Sequence, residues 1–153
     1  MPDSSDVDRL IDANLYMVIG TTGEDGSPWV TPVFFAPNGT DTLYWVSSPD
    51  SRHSRYIERR SAIAITVFDS TVAVGAGAAC YFEADAARAK PDQIADALDA
   101  LNARLPDAKQ LSDRDVAPQG SLCVYRANLR HRYVLVRGGD PTVGNELDVT
   151  LEV

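Results

Sequence analysis

Nine residues, Ser47-Ser48-Pro49-Asp50-Ser51-Arg52-His53-Ser54-Arg55, gather four hydroxyls, two guanidiniums and an imidazole. A proline and an acid just before the first basic residues mark the start of a helix. The free amides at such a start attract anions, and the helix dipole adds to the attraction. Hydroxyl donors and a forked guanidinium then complete a site of phosphate size. The same residues also describe a capped surface helix with solvated arginines, and composition alone leaves both readings open. Just upstream, Pro32 interrupts the apolar run Trp29-Val30-Thr31-Pro32-Val33-Phe34-Phe35. Proline gives no ladder donor, so it marks an edge strand, a bulge, or a place where a ligand replaces a strand neighbour.

Charge singles out the same region. The 153-residue chain carries a formal net charge of −8, which opposes binding to nucleic acid or to anionic membrane. Yet Arg52, Arg55, Arg59 and Arg60 lie close together with only Glu58 among them. Arg126, Arg130, Arg132 and Arg137 form a second island with no acid, and both histidines, His53 and His131, fall inside the two islands. An acidic chain with two basic islands suits a small anion better than a long polyanion.

Other catalytic signatures are missing. There is no zincin motif, no serine elbow and no Walker loop. Gly75-Ala76-Gly77-Ala78-Ala79-Cys80 begins like a dinucleotide fingerprint but runs into strand-like Tyr81-Phe82, where that motif must open a helix. Asp69 with Ser70 reads as a turn at a strand end. Cys80 and Cys123 have no metal-ligand spacing and sit in apolar runs, as buried free thiols do. Two histidines without an acidic cluster make no dedicated metal site. With no membrane-length apolar run and an acidic N-terminus, the expected location is the cytoplasm.

The elements that must position these residues are mostly short strands. Ser4 or Ser5 caps a helix running to about Ala13. Strands are expected over Leu15–Thr22, apolar on both faces, then over Trp29–Phe35 and Leu43–Ser48, joined by turns into an antiparallel meander. A helix over Ser51–Arg60 is followed by strands Ala62–Phe68 and Ala78–Ala86. The stripe Ile94, Leu98, Leu101 and Leu105 marks a helix opened by Lys90-Pro91-Asp92 and stopped by Pro106. Leu122–Arg126 and Arg132–Val136 read as a final pair of strands, with Leu147–Val153 as an edge. With no repeat or composition break, residues 1–153 read as one domain, mainly β (α+β), a small antiparallel barrel with flanking helices.

Three segments carry a family resemblance: Gly26-Ser27-Pro28-Trp29-Val30-Thr31-Pro32-Val33, Leu43-Tyr44-Trp45-Val46-Ser47-Ser48 and Ser51-Arg52-His53-Ser54-Arg55. Together with Val67–Ser70 and Gly75–Phe82, they make the chain resemble the FMN-binding split-barrel, or pyridoxamine 5′-phosphate oxidase-like, family over about Val7–Val136. The resemblance implies a six-stranded antiparallel split β-barrel that forms a homodimer with FMN in a groove at the subunit interface. It maps Val30, Thr31, Pro32 and Val33 to the flavin ring edge, and Val46, Ser47 and Ser48 to the ribityl chain and phosphate. Ser51, Arg52 and His53 take the place of a Ser-Arg-Lys-like phosphate grip, and Ser54 adds a hydroxyl. Histidine where lysine is common makes that grip weaker or dependent on pH. Arg130, His131 and Tyr133 become substrate-side groups supplied from the partner subunit, or else exposed strand and turn residues. The longer Arg- and Trp-containing ending of true pyridoxamine phosphate oxidases is not found.

The function so implied is a flavin-dependent oxidoreductase acting on a small-molecule substrate or electron donor. In such a protein the cofactor carries the hydride or electrons, so no catalytic acid or base need stand out. A deazaflavin-dependent reductase and a non-catalytic flavin- or ligand-binding carrier or sensor are the alternatives.

Overall fold

The computed structural model describes residues 1–153. In chain order the elements are α1 (Ser4–Ala13), β1 (Tyr16–Thr22), β2 (Pro28–Phe34), β3 (Ala36–Asn38), β4 (Thr42–Ser47), α2 (Arg52–Arg59), β5 (Ala62–Phe68), β6 (Ala79–Arg88), α3 (Ile94–Asn102), β7 (Cys123–Val136) and β8 (Val149–Glu152). All strand pairings are antiparallel, in the order β2-β1-β5-β6-β7-β4-β3, with β8 added on β7. No ladder joins β2 to β3 or β4, so the sheet curls around its core without closing and the barrel is split there.

This order corrects the simple meander. The apolar run beginning at Trp29 breaks at Phe35, whose ring is fully buried. Residues before the break pair with β1, while residues after it form a hairpin with β4 at the far end of the sheet path. That hairpin turns at Gly39, whose φ of +68° suits a residue without a Cβ. Eight strands result where the resemblance implied six, since the short β3 separates from β2 and the tail adds the edge strand β8 that its alternation suggested.

The two expected final strands are one. β7 runs unbroken for 14 residues, with one edge against β6 and the other shared between β4 and β8. Its polar middle looked like a turn because the register against β6 shifts there: Glu83 faces His131, Ala84 faces Leu129, and Arg130 is the extra residue. Such a bulge bends a strand and lets polar side chains leave the ladder without ending it.

β1 was expected to be covered on both faces. Met17, Ile19 and Thr21 are buried, but Val18 and Gly20 on the other face are only half-covered and Tyr16 is 63% exposed. Inside the sheet these residues meet Phe35, Trp45, Phe82 and Tyr125, with Val7 and Ile11 of α1 and Ile57 of α2 completing the core. A smaller cluster under α3 packs Ala97 and Leu101 on Ala36, Tyr44 and Val124. Cys80 is fully buried, and burial pushes its thiol up to about 12. Cys123, expected buried as well, is only partly covered because it begins β7 where the preceding loop joins the sheet.

Capping fixes the helix starts. Asp3, ahead of the expected serines, accepts from Ser5 N at 2.8 Å, while the Asp6 carboxylate accepts from Asp3 N at 2.9 Å. Asp69 acts as the turn residue expected of it, accepting from the amide and hydroxyl of Thr71. No helix is long and apolar enough to cross a membrane.

Candidate functional site

Helix α2 begins where β4 ends, and its first turn folds back on that strand end. Ser51 is the N-cap: its hydroxyl donates to Ser48 O at 2.9 Å and accepts from Ser54 N at 3.4 Å. With its one proton so placed, Ser51 Oγ receives the Ser54 hydroxyl at 2.7 Å. His53 Nε2 lies 2.8 Å from Ser47 Oγ and 3.2 Å from Ser51 Oγ. Ser48 Oγ accepts from Asp50 N at 3.2 Å. The structure therefore brings Ser47, Ser51, His53 and Ser54 into one hydrogen-bonded cluster that Ser48, just past β4, joins through its carbonyl. The Val46 side chain instead packs under α3 with Tyr44 and Val124. The amides of Arg52 and His53, the first two of the helix, have no protein acceptor.

Burial pulls the pKa of His53 below the ordinary histidine value of 6.5. The imidazole is neutral at pH 7, since half-burial costs the charged form more than the neutral one. The permanent positive charge in this turn belongs to Arg52, which lies 4.1 Å over the centre of the Trp29 ring. Arg52 makes no hydrogen bond to protein and no ion pair, unlike the other arginines of the two islands. Arg55 lies near Asp50 (3.7 Å), Arg59 pairs with Glu24 (2.6 Å), and Arg60 donates to Glu24 O. Arg126 bonds Asn128, while Arg130, Arg132 and Arg137 pair with Asp85, Asp8 and Asp148. Charge counting in the sequence could not separate Arg52 from the rest. The other seven arginines of the two islands are engaged by acids, an amide or a carbonyl, and among these eight Arg52 alone keeps all its donors.

Trp29 brings β2 to this cluster. On β2 the pairing Gly20 with Val30 and Val18 with Pro32 sets Val30 and Pro32 on the outer face of the sheet, where Val30 is 66% exposed. Thr31 and Val33 share the inner face with Ile19 and Met17, and Val33 is buried. Of the four β2 residues, two thus face outward and two inward. Pro32 sits on an edge strand with one sheet neighbour, so its missing amide costs no ladder bond.

Arg130, His131 and Tyr133 lie elsewhere. The start of β7 adjoins the cluster, with Cys123 opposite Ser47, but His131 is eight residues further on, roughly 26 Å along the strand. His131 Nδ1 is 2.6 Å from Glu152 Oε1, its Nε2 is 4.0 Å from Glu83 Oε2, and the Tyr133 hydroxyl donates to Glu83 at 3.1 Å. Desolvation, then the bond to Glu83, raises the Tyr133 pKa. Nothing local in the sequence pointed to Glu83 or Glu152 here, because each reaches His131 only through strand pairing. No group of three or more His, Cys, Asp or Glu side chains is arranged to hold a metal ion.

A curled antiparallel sheet left open between β2 and β4, with a polar helix start beside the opening, defines a split-barrel protein. The sequence profile of the pyridoxamine 5′-phosphate oxidase family matches residues 5–119, and the chain belongs to that family. No curated protein matches the sequence. Among solved structures, the fold is shared with a candidate 5-nitroimidazole antibiotic resistance protein from Bacteroides thetaiotaomicron (19% identity, 86% of this chain and 82% of that one, TM-score 0.73). A heme binding protein from Mycobacterium smegmatis is similar at 17% identity and TM-score 0.73, over 99% of this chain but 59% of that one. The heme storage protein HutZ from Vibrio cholerae is similar at 18% identity and TM-score 0.67, over 85% and 92%.

Proposed function

We propose that this chain is a flavin-binding oxidoreductase that holds FMN non-covalently, with the cofactor phosphate at the start of α2. The observation that carries the reading is the unused Arg52 guanidinium, held over Trp29 beside two free helix amides. The donor set fits a phosphate: one fixed cation, two backbone N–H groups, the hydroxyls of Ser47, Ser51 and Ser54, and an imidazole able to gain a proton. Ser48, just past the end of β4, and the backbone of Val46 lie beside this donor set, and Val30, Thr31, Pro32 and Val33 offer the β2 edge to the ring. When bound, FMN supplies hydride or electron transfer, while these residues bind and orient it.

The outer face of the sheet supports the expected homodimer. Val18, Gly20, Val30, Ala64, Tyr81 and Tyr133 line an apolar hollow of about 320 Å³, and Tyr16 and Phe68 are also exposed. A second copy would cover this surface and bring its own Arg130, His131 and Tyr133 toward the neighbouring β2.

The test is the absorption spectrum of the purified protein with mass analysis of the released ligand. Flavin bands that bleach on adding NAD(P)H or a reducing partner are expected. A colourless protein that takes up reduced deazaflavin would replace FMN by that cofactor. The heme-binding and heme-storage neighbours favour a second reading, a non-catalytic carrier. Uptake of added hemin with no uptake of flavin would establish it against the first.

His53 makes a pH prediction. It is neutral at pH 7 and gains its proton only as pH falls below 6.5, and a bound phosphate favours the protonated form. FMN affinity of the native protein should therefore rise relative to His53→Gln as pH drops from 7.5 to 5.5. The gain is about tenfold for each unit by which phosphate lifts the His53 pKa. The comparison removes the titration of the phosphate itself, common to both proteins. Parallel pH curves for the two proteins would take His53 out of the phosphate site.

A further inference from the structure

Helix α2 has a second face, turned toward the ends of β6 and β7, and it closes a cavity of about 430 Å³ there. Ile57, Ala86 and Tyr125 form apolar walls, Ser54 and Ser61 add hydroxyls, and Glu58, Arg59 and Arg88 stand exposed at the rim. The volume suits a small-molecule site. Tyr125 lines the cavity with its ring stacked on Trp45 at 5.7 Å, and its hydroxyl bonds no protein group and is not sealed from solvent. That hydroxyl is therefore free to donate to an acceptor placed in the cavity. Arg59 is held by Glu24 at 2.6 Å, whereas Arg88 forms neither an ion pair nor a hydrogen bond. Glu58 at the same rim opposes a second negative charge.

We propose that this cavity binds a small monocarboxylate with an aromatic or compact aliphatic body. The carboxylate meets the Arg88 guanidinium and accepts from the Tyr125 hydroxyl, and the body lies against Ile57 and Ala86. The site is separate from the Arg52–Trp29 contact, which uses the face of α2 turned to β2, and it does not depend on the flavin assignment. The Ser54 hydroxyl belongs to both places: it lines the cavity and bonds Ser51, so a bound acid sits one hydroxyl away from the His53 cluster.

The experiment is a titration of the full chain with benzoate, followed by amide chemical shifts in two-dimensional NMR. Saturable shifts confined to Ser54–Ser61, Ala86–Arg88 and Tyr125 are expected, weakened about tenfold or more by Arg88→Gln and less by Tyr125→Phe. Arg88 is exposed, so its replacement leaves the fold intact, and the unperturbed spectrum of the variant checks this. Benzyl alcohol, matched in shape but uncharged, should give no saturable shifts there. The proposal fails if benzoate produces no saturable shifts in this region, if Arg88→Gln binds it equally well, or if benzyl alcohol reproduces its effect.

Discussion

Replacing Arg104 by methionine is expected to lower stability by about 2–4 kcal/mol. Arg104 follows α3, and its guanidinium reaches across the molecule to backbone that no ladder satisfies. It donates to Phe35 O at 2.7 Å, Ile11 O at 2.6 Å and Asn14 O at 2.8 Å, and lies 4.9 Å from the centre of the Phe35 ring. Those carbonyls belong to the end of α1 and to the break between β2 and β3. One side chain thus fastens the two places where the chain leaves regular structure, and partial burial lowers its pKa, with Asp12 acting the other way. Methionine preserves much of the stem but leaves Phe35 O and Asn14 O without a donor, while Ile11 O keeps only the Asn14 amide at 3.4 Å. Lysine keeps the charge but not the fork, and should recover less than half the loss. Urea unfolding with a constant m-value measures it, and a change under about 0.5 kcal/mol would show that water replaces the guanidinium without cost.

Arg52→Ala should behave in the opposite way, leaving unfolding almost unchanged while weakening FMN by about ten- to a hundredfold. Its stacking on Trp29 is exposed and contributes only about 0.5–1 kcal/mol to the fold. Riboflavin separates the phosphate from the ring, since it lacks the anion that Arg52 is proposed to meet. Fluorescence titrations should show the native protein preferring FMN over riboflavin and the variant nearly losing that preference. If both ligands lose affinity equally, Arg52 acts on the ring or through Trp29, and the phosphate lies elsewhere.

Local signals in the chain were readable where they act within a few residues. A helix start near Ser51, an edge among the positions open to Pro32, the turn at Asp69 and the stripe Ile94, Leu98 and Leu101 of α3 are local signals of this kind. Even so, Ser51 is the cap rather than the first helical residue, and Leu105 lies past the helix end. Long-range pairing was not readable. The run Trp29–Phe35 carries no sign that its two parts go to opposite ends of the sheet path, since the choice is made by partners far away in sequence. The middle of β7 likewise reads as a turn until β6 supplies the bulge that holds Arg130 out of register. Within the site, the sequence offered every residue of the β4–α2 cluster but not the distinction among the arginines. That distinction depends on which acids the fold brings to each of them. Arg104 was expected in the last turn of a helix running to Pro106 but lies just beyond the end of α3 at Asn102, and its partners are carbonyls, which leave no mark in side-chain composition.

The sharing of β7 among three strands has a consequence for the order of assembly. β4 and its hairpin partner β3 are made early, yet β4 finds its other neighbour only in residues 123–128, and β6 waits for residues up to 134. The hairpin pairs of β1 with β2 and of β5 with β6 can form while the chain grows, but half of the sheet must wait for one late segment. Bringing such distant residues together is entropically costly before it is rewarded, which places closure of the curled sheet among the slow steps of folding. Until β7 arrives, the free edges of β4 and β6 are open to strands of other molecules, and the yield of native protein is set by how quickly that one strand docks.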